Sequence, residues 1–449
     1  MSLQDRVEYA VRKCEKLGAS EAEAYAQKQR VVEIVLERGE IQSERTKIHE
    51  GISVRLVKDK KLGFAYTSTL SEKEIEKACE AAFALARASA PNPDWISLPK
   101  TAETPTSPEG IFDPRIAELQ GTDVLNLAIQ AAEAVKEKDR RAAIDDGKFT
   151  AATGETAIAN THGINCVEKA TVFSCYLVCI AKEMGKASSM VFEYEITRSL
   201  GKLSPTQLGE KAAEKAVASL NPKSVPSFTG KVLLDTDPAA AVLAYTITNS
   251  VNAENVQRKR SLWAEKIGEE VASPVLNVVD DGLLPFGVYS SAFDDEGVPR
   301  RKTEILTKGV LKGFLHNSFT ANKANTASTG NAYRQDYTAL PTVLSSNMII
   351  QPGDKTLEQM ISEIDKGIIV RRFSGNVRPE SGEFSGIAKQ ASFIENGEVK
   401  HALKETMISG NVFEALKNIV AIGSETRATL YRAYVPPTLL DNIKIVSKH

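Results

Sequence analysis

Between Pro91 and Pro114 the chain places six of its 18 prolines. Proline has no backbone N–H and a fixed φ, so this run can be neither a helix interior nor a central strand. Structured units must therefore stand on either side of an extended linker, read over residues 91–115. A second break, Asn221-Pro222-Lys223-Ser224-Val225-Pro226, marks the main boundary. The expected organisation is an N-terminal α/β unit (1–90), the linker, a central helix-plus-hairpin unit (116–222) and a β-rich C-terminal unit (223–449).

Periodicity fills in these units. Val7, Ala10, Val11, Cys14 and Leu17 recur at helical spacing before Gly18. Strands follow over Val31–Leu36, Gly51–Val57 and Leu62–Thr67, and Ser71 with Glu74 reads as a capping box for a helix reaching Ala90. In the central unit a helix over Thr122–Lys136 precedes a hairpin, Thr150–Asn160 with Cys166–Ala181, and Ser204-Pro205 opens a helix to Leu220. Beyond the boundary, Lys231–Leu234 is a strand, and Pro238 stands in the first turn of a helix over residues 239–255. Short β runs then follow over residues 275–279, 294–299, 303–306, 311–315, 342–350, 367–370, 385–394 and 401–408. Lys308-Gly309 and Asn396-Gly397 read as hairpin turns among them. Many short strands with few helices predict a mostly antiparallel, barrel-like lobe, so the fold class is α+β.

Composition removes several functions. Lysine plus arginine number 56 against 58 aspartate plus glutamate, a net charge of −2, so nucleic acid is an unlikely partner. Five cysteines form no disulfide framework and suit a reducing compartment, and no apolar stretch reaches the length of a membrane span. The expectation is a cytoplasmic protein.

The residues capable of chemistry are sparse. The five histidines (His49, His162, His316, His401 and His449) contain no pair at metal-ligand spacing. Cys175 and Cys179 lie on one strand face roughly 13 Å apart, too far for one tetrahedral zinc, and read as core thiols with Cys14 and Cys79. There is no phosphate-cradling glycine loop and no Gly-x-Ser-x-Gly elbow. The basic clusters Gln257–Arg260 and Arg300–Lys302 lie near acidic runs and read as paired or solvated faces. Ser328-Thr329-Gly330-Asn331-Ala332 suits a tight turn that brings backbone close to a partner or ligand.

Five motifs occur in one order: Val278-Val279-Asp280-Asp281-Gly282, Asp294-Asp295-Glu296-Gly297-Val298-Pro299, Lys308-Gly309-Val310-Leu311-Lys312-Gly313-Phe314-Leu315-His316, Ser328-Thr329-Gly330-Asn331-Ala332 and Ile394-Glu395-Asn396-Gly397-Glu398. In these the chain resembles the TldD/PmbA family, the peptidase-type proteins also described as modulators of DNA gyrase, over nearly its whole length. The resemblance implies that, in the TldD branch, a helix before the first motif carries His-Glu-x-x-x-His and a later cysteine completes a zinc site, with the glutamate as general base. Here Ala244, Tyr245 and Asn249 stand approximately at the His, Glu and His positions. No histidine lies between His162 and His316, and no cysteine follows Cys179. Histidines five apart sit about 140° apart on a regular helix, so that motif needs a widened turn or break. The chain is thus similar to the PmbA/TldE-like branch, which lacks the motif.

The resemblance implies a subunit of a TldD/TldE-type metalloprotease complex processing peptides or unfolded chains. This subunit would hold no zinc and perform no catalysis, and the zinc would sit in a TldD-like partner. Its substrate cleft would expose backbone at Gly330, Asn331, Gly375, Asn376, Ser385 and Gly386, offering a β edge to an extended chain. Self-association is also open. Two other functions compete: a self-sufficient hydrolase built on His316 or His401 with carboxylates, and a DNA- or gyrase-associated binding protein, whose affinity would fall steeply with salt.

Overall fold

The computed structural model describes residues 1–100 and 103–447. Its N-terminal half is built on very long strands. Helix α1 (Leu3–Lys16) leads into β1 (Glu21–Glu37), β2 (Glu40–Lys58) and β3 (Lys61–Thr67), then α2 (Glu72–Ala88). Past the proline run come α3 (Pro114–Glu118), α4 (Gly121–Lys138), β4 (Ala142–Asn160), β5 (Asn165–Glu183), β6 (Lys186–Ala187), β7 (Val191–Thr197) and, after a single short turn, α5 (Pro205–Ala218). The strands form one sheet in the order β3-β2-β1-β4-β5-β6, with β7 also on β5. β1 pairs antiparallel with β4 from Glu23↔Asn160 to Glu37↔Asp146, so the sheet runs without interruption through both halves of the N-terminal region.

Strand alternation decides what each face does. Ala22, Ala24 and Ala26 of β1, with Ile52, Val54 and Leu56 of β2, pack under α1 and α2. Further along the same face Val32, Ile34 and Leu36 pack under α4. The alternate residues Glu23, Tyr25 and Arg55 are buried on the opposite face, where the C-terminal lobe docks. Ser2 caps α1 in a full capping box with Asp5. Ser71 caps α2 likewise, but Glu74 turns to Lys77 at 2.7 Å, leaving that box half formed.

The proline run is a strap. Trp95, Leu98 and Ile111 are buried along it. The Trp95 Nε1–H donates to Glu21 at 2.8 Å and its ring stacks on Phe319 of the C-terminal lobe. Each proline removes an N–H, and among the described residues of the run the one β pairing is the isolated Lys61↔Pro91 bridge.

The C-terminal lobe has a nine-stranded sheet, antiparallel except where β8 (Phe228–Leu234) runs parallel to Lys366–Val370. Strand Arg372–Val377 forms one edge of it, followed inward by Glu383–Lys389, Thr406–Asn411 and Thr438–Ser447. A second, six-stranded sheet contains Val278–Asp281 and Lys302–Thr307. Both expected turns are present, with positive φ at Lys308, Gly309, Asn396 and Gly397, as two-residue hairpins require. Other expectations change. Residues 342–350, 385–394 and 401–408 each divide into two strands, and the run expected over 311–315 shrinks to a short strand, Val310–Leu311. Residues 294–299 are a loop closed by the Phe293↔Pro299 bridge, because their carboxylates turn inward onto backbone N–H groups.

The expected helix over 239–255 is segmented. A first turn, Thr236–Ala239, opens into a widened turn over Ala240–Ala244, where the Tyr245 N–H reaches back to the Ala240 carbonyl. Helix resumes over Tyr245–Ser250 and breaks at Asn252, whose side chain caps Ala253–Gln257. The break is held by Leu315, which exchanges backbone hydrogen bonds with Val251 and Ala253.

Candidate functional site

Two regions of the C-terminal lobe gather polar groups. The first is a buried ionic joint against the N-terminal sheet. The Arg55 Nη2–H donates to Glu23 Oε2 at 2.7 Å and to Glu296 Oε1 at 2.9 Å, while Arg334 pairs with the other oxygen of Glu23. The second oxygen of Glu296 accepts from the Ser318 N–H at 2.9 Å. All four charged side chains are at most 5% exposed. Asp294 beside them accepts from the N–H groups of Glu296, Val298 and Ala332. Burial and the neighbouring Glu296 raise its pKa to about 7, against Arg300 and those donors.

Gly330 and Asn331 belong to this joint. The Asn331 amide donates to Asp280 at 2.6 Å and its oxygen accepts from Thr329. The Gly330 carbonyl accepts from Arg300 at 2.7 Å. At φ +72 a Cβ on Gly330 would stand 2.6 Å from the Pro299 oxygen, so glycine is required for this approach. Both residues are buried, and their polar groups are turned inward.

The second region is a cleft along the segmented helix. Ala244 is buried, whereas Tyr245 is 39% exposed and meets Tyr431 edge-on at 6.5 Å. The Asn249 amide donates to the Tyr245 carbonyl one turn back. Beside the helix lies the edge strand with Gly375 and Asn376, paired directly with Gly386 and Ser385. These four expected residues do come together. Phe373 lies over the Gly375–Gly386 pair, where a Cβ on either glycine would collide with its ring or with the facing strand. Ser374, Gly375 and Asn376 are exposed along the free edge.

An ion network closes the cleft against β7. Arg427 binds Glu193 at 2.9 Å and Asp237 at 2.7 Å, Tyr194 Oη donates to Asp237 at 2.5 Å, and Lys215 also pairs with Glu193. Burial works to raise Glu193, but Lys215 and Arg427 outweigh it and hold its pKa below the ordinary carboxylate value.

The histidines among the described residues do not assemble a site, and His449 lies outside those residues. The His316 Nδ1 faces Thr320 Oγ1 at 3.3 Å; the His401 Nδ1 faces a backbone carbonyl, and its ring stacks on Phe393. Neither touches a carboxylate among the described residues. His162 does, at 2.7 Å from Glu21, but as part of the Trp95 anchorage. Burial lowers the pKa of His316 below 6.5, with Thr320 opposing. The unfolded chain therefore takes up a proton that the folded chain resists, and stability present above pH 6.5 falls as pH drops below it. A His316→Asn variant should lack this part of the acid slope, read as urea midpoints between roughly pH 5 and 7.5.

A zinc ion does not fit the helix. Ala244, Tyr245 and Asn249 offer a methyl group, a phenol and a carboxamide where imidazoles and a carboxylate would be needed. The widened turn is present just before Tyr245, so the helix has the relaxed geometry without the donors. Among the described residues no group of three or more His, Cys, Asp or Glu side chains could hold a metal.

The chain is thus a long-stranded sheet docked on a curled lobe, with a widened helix at the cleft. Profiles for the PmbA/TldA metallopeptidase domain 1, central domain and C-terminal domain match residues 22–86, 114–220 and 227–447. The chain belongs to the PmbA/TldD family. It is 26% identical to the metalloprotease PmbA homolog of Haemophilus influenzae, over 99% of this chain and 96% of that protein. It is 23% identical to the TldD homolog of the same organism, over 88% and 84%. Among solved structures, TldE from Thermococcus kodakarensis superimposes with a TM-score of 0.93 at 26% identity, covering 98% of this chain and all of that one. A Thermotoga maritima protein described as a modulator of DNA gyrase superimposes at 0.89 with 25% identity, covering 99% and 100%.

Proposed function

We propose that this chain is the non-hydrolytic subunit of a two-component peptidase, acting on peptides or unfolded chains together with a TldD-like partner that carries His-Glu-x-x-x-His and the zinc. The observation that carries this reading is the helix itself: the turn geometry is kept while Ala244, Tyr245 and Asn249 cannot serve as ligands or as a carboxylate base. The exposed edge at Ser374–Asn376 supports the substrate class, since an extended chain can add to it as a further strand. Five unpaired cysteines support a cytoplasmic setting.

The test is reconstitution with the His-Glu-x-x-x-His homologue of the same source. The two chains should co-elute, and hydrolysis of denatured, fluorescein-labelled casein should require both. Full hydrolysis by the homologue alone, with no complex formed, would contradict the proposal.

A further inference from the structure

A cavity of about 220 Å³ opens at the N-terminal end of the edge strand, lined by Arg371, Arg372, Phe373, Ala241, Tyr194 and Tyr431 among others. Pockets for drug-sized ligands usually run to roughly 300–1,000 Å³, so this one suits a single residue or a group of that size. Two cations line it, and among the described residues neither is in an ion pair. The Arg371 Nη1 donates at the limit of hydrogen bonding to the Gln390 carbonyl (3.4 Å) and Ser392 Oγ (3.3 Å), and the charge of Asp235 acts on it without closing a salt bridge. Among the described residues the Arg372 side chain has neither hydrogen bond nor ion pair, and its guanidinium lies 5.5 Å from the centre of the Phe192 ring. The one carboxylate in the lining, Asp237, is already held by Tyr194 and Arg427. The remaining wall is aromatic and apolar, with Leu430 and Tyr431 exposed beside Tyr245.

Strand direction supplies the rest. The edge strand runs from Arg372 to Val377, and among the described residues its outer side has no neighbour in the sheet. A peptide pairing antiparallel with it must run its C-terminus toward Arg372. A parallel peptide would bring an ammonium group against two arginines.

We propose that this cavity is a pocket for the C-terminal carboxylate of an extended peptide. The peptide pairs antiparallel with Arg372–Val377, Arg371 and Arg372 hold its terminal carboxylate, and its last side chain, apolar or aromatic, fills the space between Phe373 and Tyr431. This rests on the subunit reading above and adds the end of the substrate that this subunit reads.

The test uses the purified full chain and a fluorescein-labelled hexapeptide ending in phenylalanine, as free acid and as C-terminal amide, followed by fluorescence anisotropy. The acid should bind about tenfold or more tightly than the amide, the size expected for losing a charged hydrogen bond. Arg372→Gln, at a partly exposed side chain that has no hydrogen bond or ion pair among the described residues and meets only the Phe192 ring, should abolish that preference while the protein stays folded. Arg371→Gln should do the same, with circular dichroism reporting its fold. Equal binding of acid and amide, binding of neither, or an unchanged preference in Arg372→Gln would overturn the proposal. Such a result leaves the subunit reading standing, because co-elution and casein hydrolysis with the partner do not depend on it.

Discussion

An Arg55→Met variant is expected to lose about 3–5 kcal/mol of stability, the usual cost of removing one partner from a buried ion pair. Arg55 donates to both Glu23 and Glu296, and its guanidinium also lies 5.8 Å from the centre of the Trp95 ring. Methionine would fill much of the volume but leave Glu296 with the Ser318 N–H alone, in a site water does not reach. Glu23 would retain Arg334, so Glu296 is the group that drives the loss. The check is a urea titration of Arg55→Met, Glu296→Gln and the double variant. The double variant should be less damaged than the sum of the singles, because removing both charges removes the uncompensated one. Arg378→Met, which breaks an exposed pair with Glu383, should leave the midpoint unchanged.

The second large effect is expected at Arg198. Among the described residues this buried guanidinium makes no salt bridge, and it donates instead to the carbonyls of Ile111, Thr171, Gly287, Val288 and Ser290. It thereby ties the proline strap, β5 and a C-terminal loop to one point. Burial pulls its pKa down to about 10, with Glu168 opposing, so it remains charged at neutral pH. Arg198→Leu would strip five buried acceptors of this donor; the Ile111 and Gly287 carbonyls keep the N–H groups of Thr171 and Ser290, and each of the others costs about 1–3 kcal/mol when left unpaired, so the variant should unfold at much lower temperature. Arg198→Lys keeps the charge but offers three donors from one nitrogen, so its melting temperature should fall between the two.

Local signals in the sequence reached the turns and caps well. Asn396-Gly397, Lys308-Gly309 and Ser2 each carry their own chemistry, and the structure uses them as expected or, at Ser2, adds a cap that follows the same rule. The first half of β1 was not legible as a strand because its Ala22, Ala24 and Ala26 have low strand propensity. Small residues are needed there under α1 and α2, and the alternation of alanine with Glu23 and Tyr25 was the available clue. The inward turn of residues 294–299 could not be read locally. Glu296 finds its partner Arg55 241 residues earlier, and only the assembled lobes show that both are buried. Pairing joins Gly375, Asn376, Ser385 and Gly386, but only the first three are exposed and Gly386 is buried under the facing strand and Phe373. Gly330 and Asn331 share the same turn chemistry, yet packing places them in the ionic joint. That Arg371 and Arg372 close no salt bridge among the described residues is a property of the assembled cleft, invisible in the string Val-Arg-Arg-Phe.

On the proposed reading, a scaffold of this family keeps the widened helix without side chains that can grip a catalytic ion. Inductively coupled plasma mass spectrometry on the isolated chain, purified without chelator and dialysed against zinc-free buffer, tests this most directly. Far less than one zinc per chain is expected, unchanged by Ala substitution at Tyr245 or Asn249. One zinc per chain, lost on those substitutions, would contradict it.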